Sequence, residues 1–204
     1  MGKISTYTVL STPTLNDKLI GTDTTTNDET KNFLISDILS LVPSTLNLYK
    51  GSFYDNITQT LTGGANVAVP VRLNSTDTSA TNGISVVTDG TNLTRITVAN
   101  TGVYNLLFSA QLANSGGSAQ TVDFWLRKNG ATAAFNVADT TGKVQLQSNS
   151  SFVMAAWNYF IALNAGDYIY LMWTATSTNI TMITTPATAV HPVSPSIIVT
   201  LNQV

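Results

Sequence analysis

Long segments in which apolar and polar residues alternate dominate the second half of this chain of 204 residues. One segment spans 102–112 and another spans 152–163. Alternation with a period of two places successive side chains on opposite faces of a β-strand. Asp89-Gly90, Asn129-Gly130 and Asn164-Ala-Gly166 are typical turn sequences, and Asn-Gly favours a tight hairpin. The pattern therefore predicts an all-β fold built as an antiparallel sandwich.

The predicted strands of this sandwich follow one another closely from residue 49 to residue 204, which we treat as one domain. They span residues 50–55, 66–73, 83–88, 93–99, 102–113, 120–128, 143–147, 152–163, 167–176, 179–184 and 196–203. Residues 1–48 form a separate segment, with strands predicted at Lys18–Asp23 and Lys31–Ile35. Ser36 is the predicted N-cap of a short helix over 37–42, which Pro43 ends. This segment is too small to bury a core alone, so we expect it to dock on another protein.

Composition excludes several classes of function. Charged residues make up only 10% of the chain, and its nine Lys and Arg residues are scattered, so we expect no nucleic-acid partner. The absence of Cys excludes disulfides and thiolate metal sites. No apolar run approaches the ~20 residues of a membrane span, so we expect no membrane partner. The N-terminus lacks the apolar segment of a signal peptide, which predicts synthesis in the cytoplasm.

Two strands can be assigned a core face by their alternation. In the strand over 102–113, one face is wholly apolar and is the predicted core side: Tyr104, Leu106, Phe108, Ala110 and Leu112. In the strand over 152–163, Trp157, Tyr159, Ile161 and Leu163 form one face. The opposite face carries Met154, Ala156 and Phe160, and it is too apolar to remain in water in a monomer. Such a face favours an interface between subunits.

The segment over 102–111 and the Ala165-Gly-Asp167 turn between two long strands resemble the jelly roll of the tumour-necrosis-factor and C1q family. The similarity covers residues 50–204 and is greater to a bacteriophage and metagenomic branch of that fold. Segments like those of this chain recur in that branch at 124–130, 155–158, 165–173 and 195–204. Separately, residues 17–23 and 31–39 resemble the N-terminal adaptor of phage fibre and appendage proteins.

The resemblance implies a homotrimer in which one sheet of each sandwich packs around a three-fold axis. Transferred by position, it predicts these interface residues: Asn105, Leu107, Met154, Ala156, Asn158 and Phe160. It also implies a virion component, made in the host cytoplasm and held to a capsid or tail protein by residues 1–48. The apolar residues predicted for that attachment are Leu19, Ile20, Phe33, Ile35, Ile38 and Leu39.

Residues that could support catalysis are sparse. His191 is the only His, and it lies in a Pro-rich segment that predicts a solvated loop. A Ser-His-Asp site would need this one residue, and glycoside hydrolysis would need two facing carboxylates. The acidic residues after position 50 are instead interpreted as turn residues: Asp55, Asp77, Asp89, Asp123, Asp139 and Asp167. We therefore predict no enzyme activity, no cofactor and no metal site.

The aromatic residues of the later strands are interpreted as core residues rather than a platform for stacking sugars: Trp125, Trp157, Trp173, Tyr168 and Tyr170. Two functions remain open beside a structural role in the virion. The first is the receptor-binding tip of a tail fibre that recognises a host glycan or surface protein, because the loops of such sandwiches host binding sites. The second is a glycan hydrolase, which the lack of paired carboxylates disfavours.

Overall fold

The computed structural model describes residues 12–27, 29–41 and 49–204. The chain divides into two compact units, one within Met1–Asn47 and one within Leu48–Val204. In the described ranges, no helix is long and apolar enough to cross a membrane.

The first unit contains a β-hairpin and a short helix. Strands β1 (Lys18–Asp23) and β2 (Glu29–Leu34) pair antiparallel, and helix α1 (Ile35–Leu41) follows directly. A 3-10 turn over Thr24–Thr26 connects the two strands, and the Asp23 carboxylate caps it by accepting a hydrogen bond from the Thr25 amide at 2.9 Å. The predicted hairpin and helix are confirmed.

The start of helix α1 differs from the prediction. The helix begins at Ile35, so Ser36 lies in its first turn and is not the N-cap. The backbone carbonyl of Asp17 accepts from the Ile35 amide at 3.0 Å, and that of Leu15 accepts from the Ser36 amide at 3.1 Å. Because the chain before β1 satisfies these donors, no side-chain cap is required. The predicted helix end at 42 and Pro43 lies outside the described residues.

The second unit consists of two antiparallel sheets. The first sheet contains β3 (Lys50–Asp55), β4 (Gln59–Thr60), β6 (Ser75–Thr76), β9 (Gly102–Asn114), β12 (Ser151–Leu163), β14 (Ile180–Met182) and β15 (Ile197–Gln203). The second sheet contains β5 (Val69–Pro70), β7 (Ile84–Thr88), β8 (Leu93–Val98), β10 (Gln120–Lys128), β11 (Gly142–Leu146) and β13 (Tyr168–Ala175). Short 3-10 turns lie at Thr78–Ala80 and Ala133–Phe135.

The strand order is that of a jelly roll. The first sheet runs β12-β9-β15-β3-β6. Strand β14 also pairs with the C-terminal end of β9, and β4 pairs with β14. The second sheet runs β11-β10-β13-β8-β7, and β5 also pairs with β13. Between its long strands the chain crosses from sheet to sheet at every step except β7 to β8 and β10 to β11, each of which forms a neighbouring pair in the second sheet. The predicted fold class, an antiparallel jelly-roll sandwich, is confirmed.

The core lies between the two sheets. The predicted core face of β9 is confirmed, since Tyr104, Leu106, Phe108, Ala110 and Leu112 are all buried. The ring of Phe108 lies 4.9 Å from that of Phe124 on the second sheet, centroid to centroid. Aromatic contact of this kind joins the sheets in addition to the burial of apolar area.

Two further local predictions are wrong, one for a strand and one for a hairpin turn. The strand expected over 66–73 reduces to Val69–Pro70, because Pro70 has no amide hydrogen to continue a ladder. The segment still follows β13, with the amides of Asn66 and Val71 donating to the carbonyls of Ala175 and Leu171 at 2.8 Å each.

Asn129-Gly130 does not form a tight hairpin. Asn129 has a positive φ of 57° but Gly130 does not, and a type I′ turn needs both. The Asn129 side chain instead bonds across to the start of β13, where it contacts the Tyr168 amide and the Asp167 carboxylate. Gly130 is required for another reason, since a Cβ there would lie 2.1 Å from the Phe135 ring.

Candidate functional site

The outward side chains of the first sheet form one continuous surface, which we call the open face. Strand register aligns its residues in rows across β12, β9, β15 and β3. One row contains Asn158, Leu107, Thr200 and Ser52, and the next contains Ala156, Ser109, Ile198 and Tyr54. A shallow groove of about 120 Å³ lies between β9 and β15 at the centre of the face.

The open face is apolar and almost uncharged. Met154 is 68% exposed, Phe160 67% and Leu107 48%. Val103, Phe152 and Ile198 are exposed beside them. Among the outward residues of β3, β9, β12 and β15, only Lys50 carries a charge. A surface of this kind marks a site of interaction with another molecule.

All six predicted interface residues lie on the open face, so the structure brings them together: Asn105, Leu107, Met154, Ala156, Asn158 and Phe160. That copies of the chain meet there stays a prediction. Ile198 also belongs to this surface and was missed by the sequence reasoning, although alternation along β15 would have identified it.

Two further features of the open face concern unused hydrogen-bonding groups. The Asn105 side-chain oxygen Oδ1 is buried and has no hydrogen-bond partner among residues 12–27, 29–41 and 49–204. Strand β12 pairs only with β9 among the described strands, so its other edge is left without a neighbour. Long edge strands that lack charge are sites of association between chains.

The outer face of the second sheet contains a cavity of about 340 Å³, which we call the arginine cavity. Its polar lining comes from Asp89, Thr91, Arg95, Arg127 and Tyr170, and its apolar lining includes Ala68, Pro70 and Met172. Arg127 on β10 stands opposite Tyr170 on β13. The pairing of β13 with β8 brings Arg95 to the other side of Tyr170.

The two arginines are held by neutral groups. The Arg95 Nε donates to the Tyr170 hydroxyl oxygen at 2.8 Å, and this bond raises the pKa of Arg95. The Arg95 guanidinium also lies 5.1 Å from the centre of the Tyr168 ring. Arg127 is only 7% exposed, and its Nε donates to Asn136 Oδ1 at 2.8 Å. Burial lowers the pKa of Arg127, but a guanidinium remains charged at neutral pH.

Asp89 supplies the negative charge at the rim of the arginine cavity. Partial burial opposes its ionisation, but hydrogen bonds from the amides of Asn92 and Thr91 outweigh that effect and lower the pKa of Asp89. Its second oxygen accepts from the Thr94 hydroxyl at 3.0 Å. In the part of the chain that the structure describes, no carboxylate lies within ion-pair distance of Arg95 or Arg127.

The residues considered for catalysis lie apart from one another. His191 occupies an exposed loop, where its Nδ1 is 2.9 Å from the Pro192 carbonyl oxygen. Asp77 is a turn residue as predicted, and a hydrogen bond from the Ser79 hydroxyl lowers its pKa. Over residues 12–27, 29–41 and 49–204, no three His, Asp or Glu side chains converge as metal ligands.

Two of the supposed turn carboxylates belong to strands, which corrects the sequence interpretation for Asp123 and adds an ion pair to it for Asp55. Asp55 ends β3 with a fully buried side chain, and its Oδ2 lies 2.5 Å from the Arg72 Nε. Asp123 lies within β10 and faces Lys143 at 3.5 Å. Asp123 is thus placed by its cationic partner, whereas Asp55 also forms a turn, because its Oδ1 accepts from the Ile57 amide at 2.8 Å.

The interpretation of the aromatic residues as core is only partly correct. Trp173 belongs to the core between the sheets, whereas Tyr170 is buried on the outer face of the second sheet. Trp125 also lies on that face, where its Nε1 donates to Asn136 at 2.8 Å. Trp157 is half-exposed. The loops that cover the second sheet bury some outward residues, which alternation alone does not reveal.

The predicted attachment residues lie on more than one surface of the first unit. Leu19 and Phe33 form a cross-strand pair, and Phe33 packs over Gly21. Ile20 points to the opposite face of the hairpin and is exposed. In helix α1, Ile35 is half-buried, whereas Ile38 and Leu39 are exposed.

No protein-family model and no curated protein matches this chain. Among solved structures, Eiger TNF from S. frugiperda is similar to it, with 15% sequence identity and a TM-score of 0.48. The similarity covers 77% of this chain and 92% of that one.

Proposed function

We propose that this chain is a structural component of a bacteriophage virion, a homotrimeric fibre knob or capsid decoration protein anchored by its N-terminal segment. The observation that carries the proposal is the open face, an apolar surface on one side of a complete sandwich. In the proposed trimer, the open face packs against the same face of two further copies of the chain.

The charge of the open face supports self-association. Identical copies that meet around an axis bring like charges together, and a face with Lys50 as its one charged strand residue avoids that repulsion. Burying Leu107, Met154 and Phe160 would remove large apolar side chains from water, at roughly 25 cal/mol for each Å² buried. Asn105 would also gain a donor for the oxygen that lacks one among the residues the structure describes.

The first unit supports the anchoring part of the proposal. Leu19, Ile20, Ile38 and Leu39 are exposed among the described residues of this unit. Together with the resemblance to fibre adaptors, this exposure favours docking on another virion protein, in the capsid or the tail.

Sedimentation of the full chain at micromolar concentration tests the trimer. We expect three times the chain mass of 21.7 kDa. Phe160→Glu on the open face should dissociate the trimer, because it places three carboxylates around the axis. Gln145→Glu adds the same charge at an exposed position of β11 on the second sheet and should leave the trimer intact. A monomeric wild-type chain would refute the assembly.

Incorporation into particles tests the virion role. Virions assembled with the wild-type chain should carry it, whereas those assembled with Ile20→Asp should lack it while the variant remains trimeric in solution. Asn32→Asp changes an exposed polar residue that pairs with Ile20 and provides the control. Purified virions that never contain the wild-type chain would refute the role.

A receptor-binding tip is the second candidate function, and the arginine cavity is the observation that favours it. Labelled trimer should then bind intact host cells. A decoration protein should bind virions that lack it and leave cells unlabelled.

A further inference from the structure

The arginine cavity holds more positive charge than its surroundings neutralise. Arg127 is nine-tenths buried, and its partners among the described residues are neutral: Asn136, the carbonyl of Ala131 and the ring of Trp125. An unpaired buried charge is costly in free energy, so such a group is normally paired. The arrangement is typical of a site in which the missing anion belongs to a ligand.

The geometry leaves donors free for that anion. Both guanidinium groups use Nε within the chain, Arg95 for Tyr170 and Arg127 for Asn136. Both terminal nitrogens of Arg95, and Nη2 of Arg127, have no hydrogen-bond partner among the described residues. Because neighbouring strands lie ~4.8 Å apart, the two arginines flank Tyr170 from fixed positions on a sheet.

The charges of the site favour a monoanion. The two arginines outweigh Asp89 by one charge, which one carboxylate would balance. A guanidinium presents paired donors that match the two oxygens of a carboxylate. A phosphate dianion would bring a second negative charge towards Asp89, which disfavours it.

The remaining lining favours a ligand that also carries hydroxyl groups. Asp89 Oδ2 accepts a single hydrogen bond, from Thr94, and has capacity for another donor. Pro70, Met172 and Ala68 supply an apolar wall for the C–H groups of a ring. The volume of about 340 Å³ lies near the lower end of the ~300–1,000 Å³ that small-molecule sites span.

We infer that the arginine cavity binds a sugar acid, one hexuronate unit of an acidic polysaccharide, with its carboxylate between Arg95 and Arg127 and a hydroxyl on Asp89. The site lies on the sheet opposite the open face, so the inference does not rest on the proposed trimer. It gives the second candidate function a ligand class.

Calorimetric titration of the full chain tests this inference with four probes: methyl glucuronide, methyl glucoside, acetate and inorganic phosphate. Methyl glucuronide should bind saturably and at least tenfold more tightly than each of the others. The glucoside tests the need for the carboxylate, acetate the need for the sugar ring, and phosphate the preference for a monoanion. Equal binding of any of these three, or no saturable binding of the glucuronide, would overturn the inference.

Variants then locate the binding. Arg95→Gln removes a half-buried guanidinium and should weaken glucuronide binding at least tenfold, with folding checked by a melting curve because the hydrogen bond to Tyr170 is lost as well. Arg127→Gln should weaken it as much, with folding checked by the same melting curve. Lys143→Gln removes one exposed positive charge elsewhere on the second sheet and should change binding less than twofold. Unchanged binding by a folded Arg95→Gln would overturn the inference.

Discussion

The two outer faces of the sandwich present charge in opposite ways. The open face shows apolar side chains, and the one strand carboxylate of its sheet, Asp55, lies on the opposite side of β3 and is fully buried against Arg72. The outer face of the second sheet displays Asp123 and Lys143, and loops fold over Arg127 to form a cavity. Both faces follow the same two-residue alternation. Alternation thus determines which side chains point away from the core, and the loops determine which groups those side chains contact.

The largest expected difference separates two carboxylates, one from each sheet. Asp55→Asn should lower the free energy of unfolding by about 3 kcal/mol, because it leaves a partly buried Arg72 without its counter-charge. Asp123→Asn should lower it by less than about 1 kcal/mol, since the pair with Lys143 is long at 3.5 Å and its lysine is exposed. Urea denaturation measures both changes. Equal losses of unfolding free energy in the two variants would contradict the expected difference between the buried carboxylate and the partly exposed one.

Two tyrosines provide the next comparison. The Tyr170 hydroxyl accepts from Arg95 on the second sheet, so Tyr170→Phe should cost about 1.5 kcal/mol. The Tyr159 hydroxyl on the first sheet is buried and has no hydrogen-bond partner in the described part of the chain, and burial raises the pKa of Tyr159 to about 12. Tyr159→Phe should therefore leave stability unchanged or raise it by up to about 1 kcal/mol. Thermal melting of both variants measures these changes in stability. A large loss of stability in Tyr159→Phe would contradict the expected difference.

Asn105 reports whether the open face is covered. In a trimer its Oδ1 would accept a hydrogen bond from a neighbouring copy, so Asn105→Ala should destabilise the assembly by about 1 kcal/mol per chain. Melting at several protein concentrations measures this effect, with Gln145→Ala as a surface control. In a bare monomer the same substitution removes an unpaired buried acceptor and should stabilise the fold. The sign of the change therefore distinguishes the two states.

The smallest effect concerns acid stability at the start of β13. Hydrogen bonds from Lys128, the Asn164 amide and Asn129 lower the pKa of Asp167 to about 2. The unfolded value is about 3.9, so the stabilisation is complete above pH ~4 and is lost as the pH falls towards 2. Asp167→Asn should lose less stability than the wild type over that range. Parallel pH dependence of the two melting temperatures would contradict the expectation.

The sequence predicted the open face better than the arginine cavity, for a physical reason. The open face follows from local alternation along β9 and β12, which a strand carries in its own residues. The residues that line the arginine cavity come from positions 68–70, 89–95, 127–131 and 170–172, which only strand pairing brings together. Nothing local marks Arg127 as buried, since it occupies an outward position of β10. The failed hairpin at Asn129-Gly130 has the same origin, because contacts with β13 and Phe135 override the preference of the dipeptide.

Gly130 has a consequence for any attempt to redesign the ligand preference of this protein. Phe135 occupies the space that a side chain at position 130 would fill, and the adjacent Ala131 carbonyl holds Arg127 in place. A substituent there would have to displace the Phe135 ring beside the loop that positions this guanidinium. A mutant library confined to residues with functional groups in the cavity would therefore overlook a position that affects the cavity although it has no side chain.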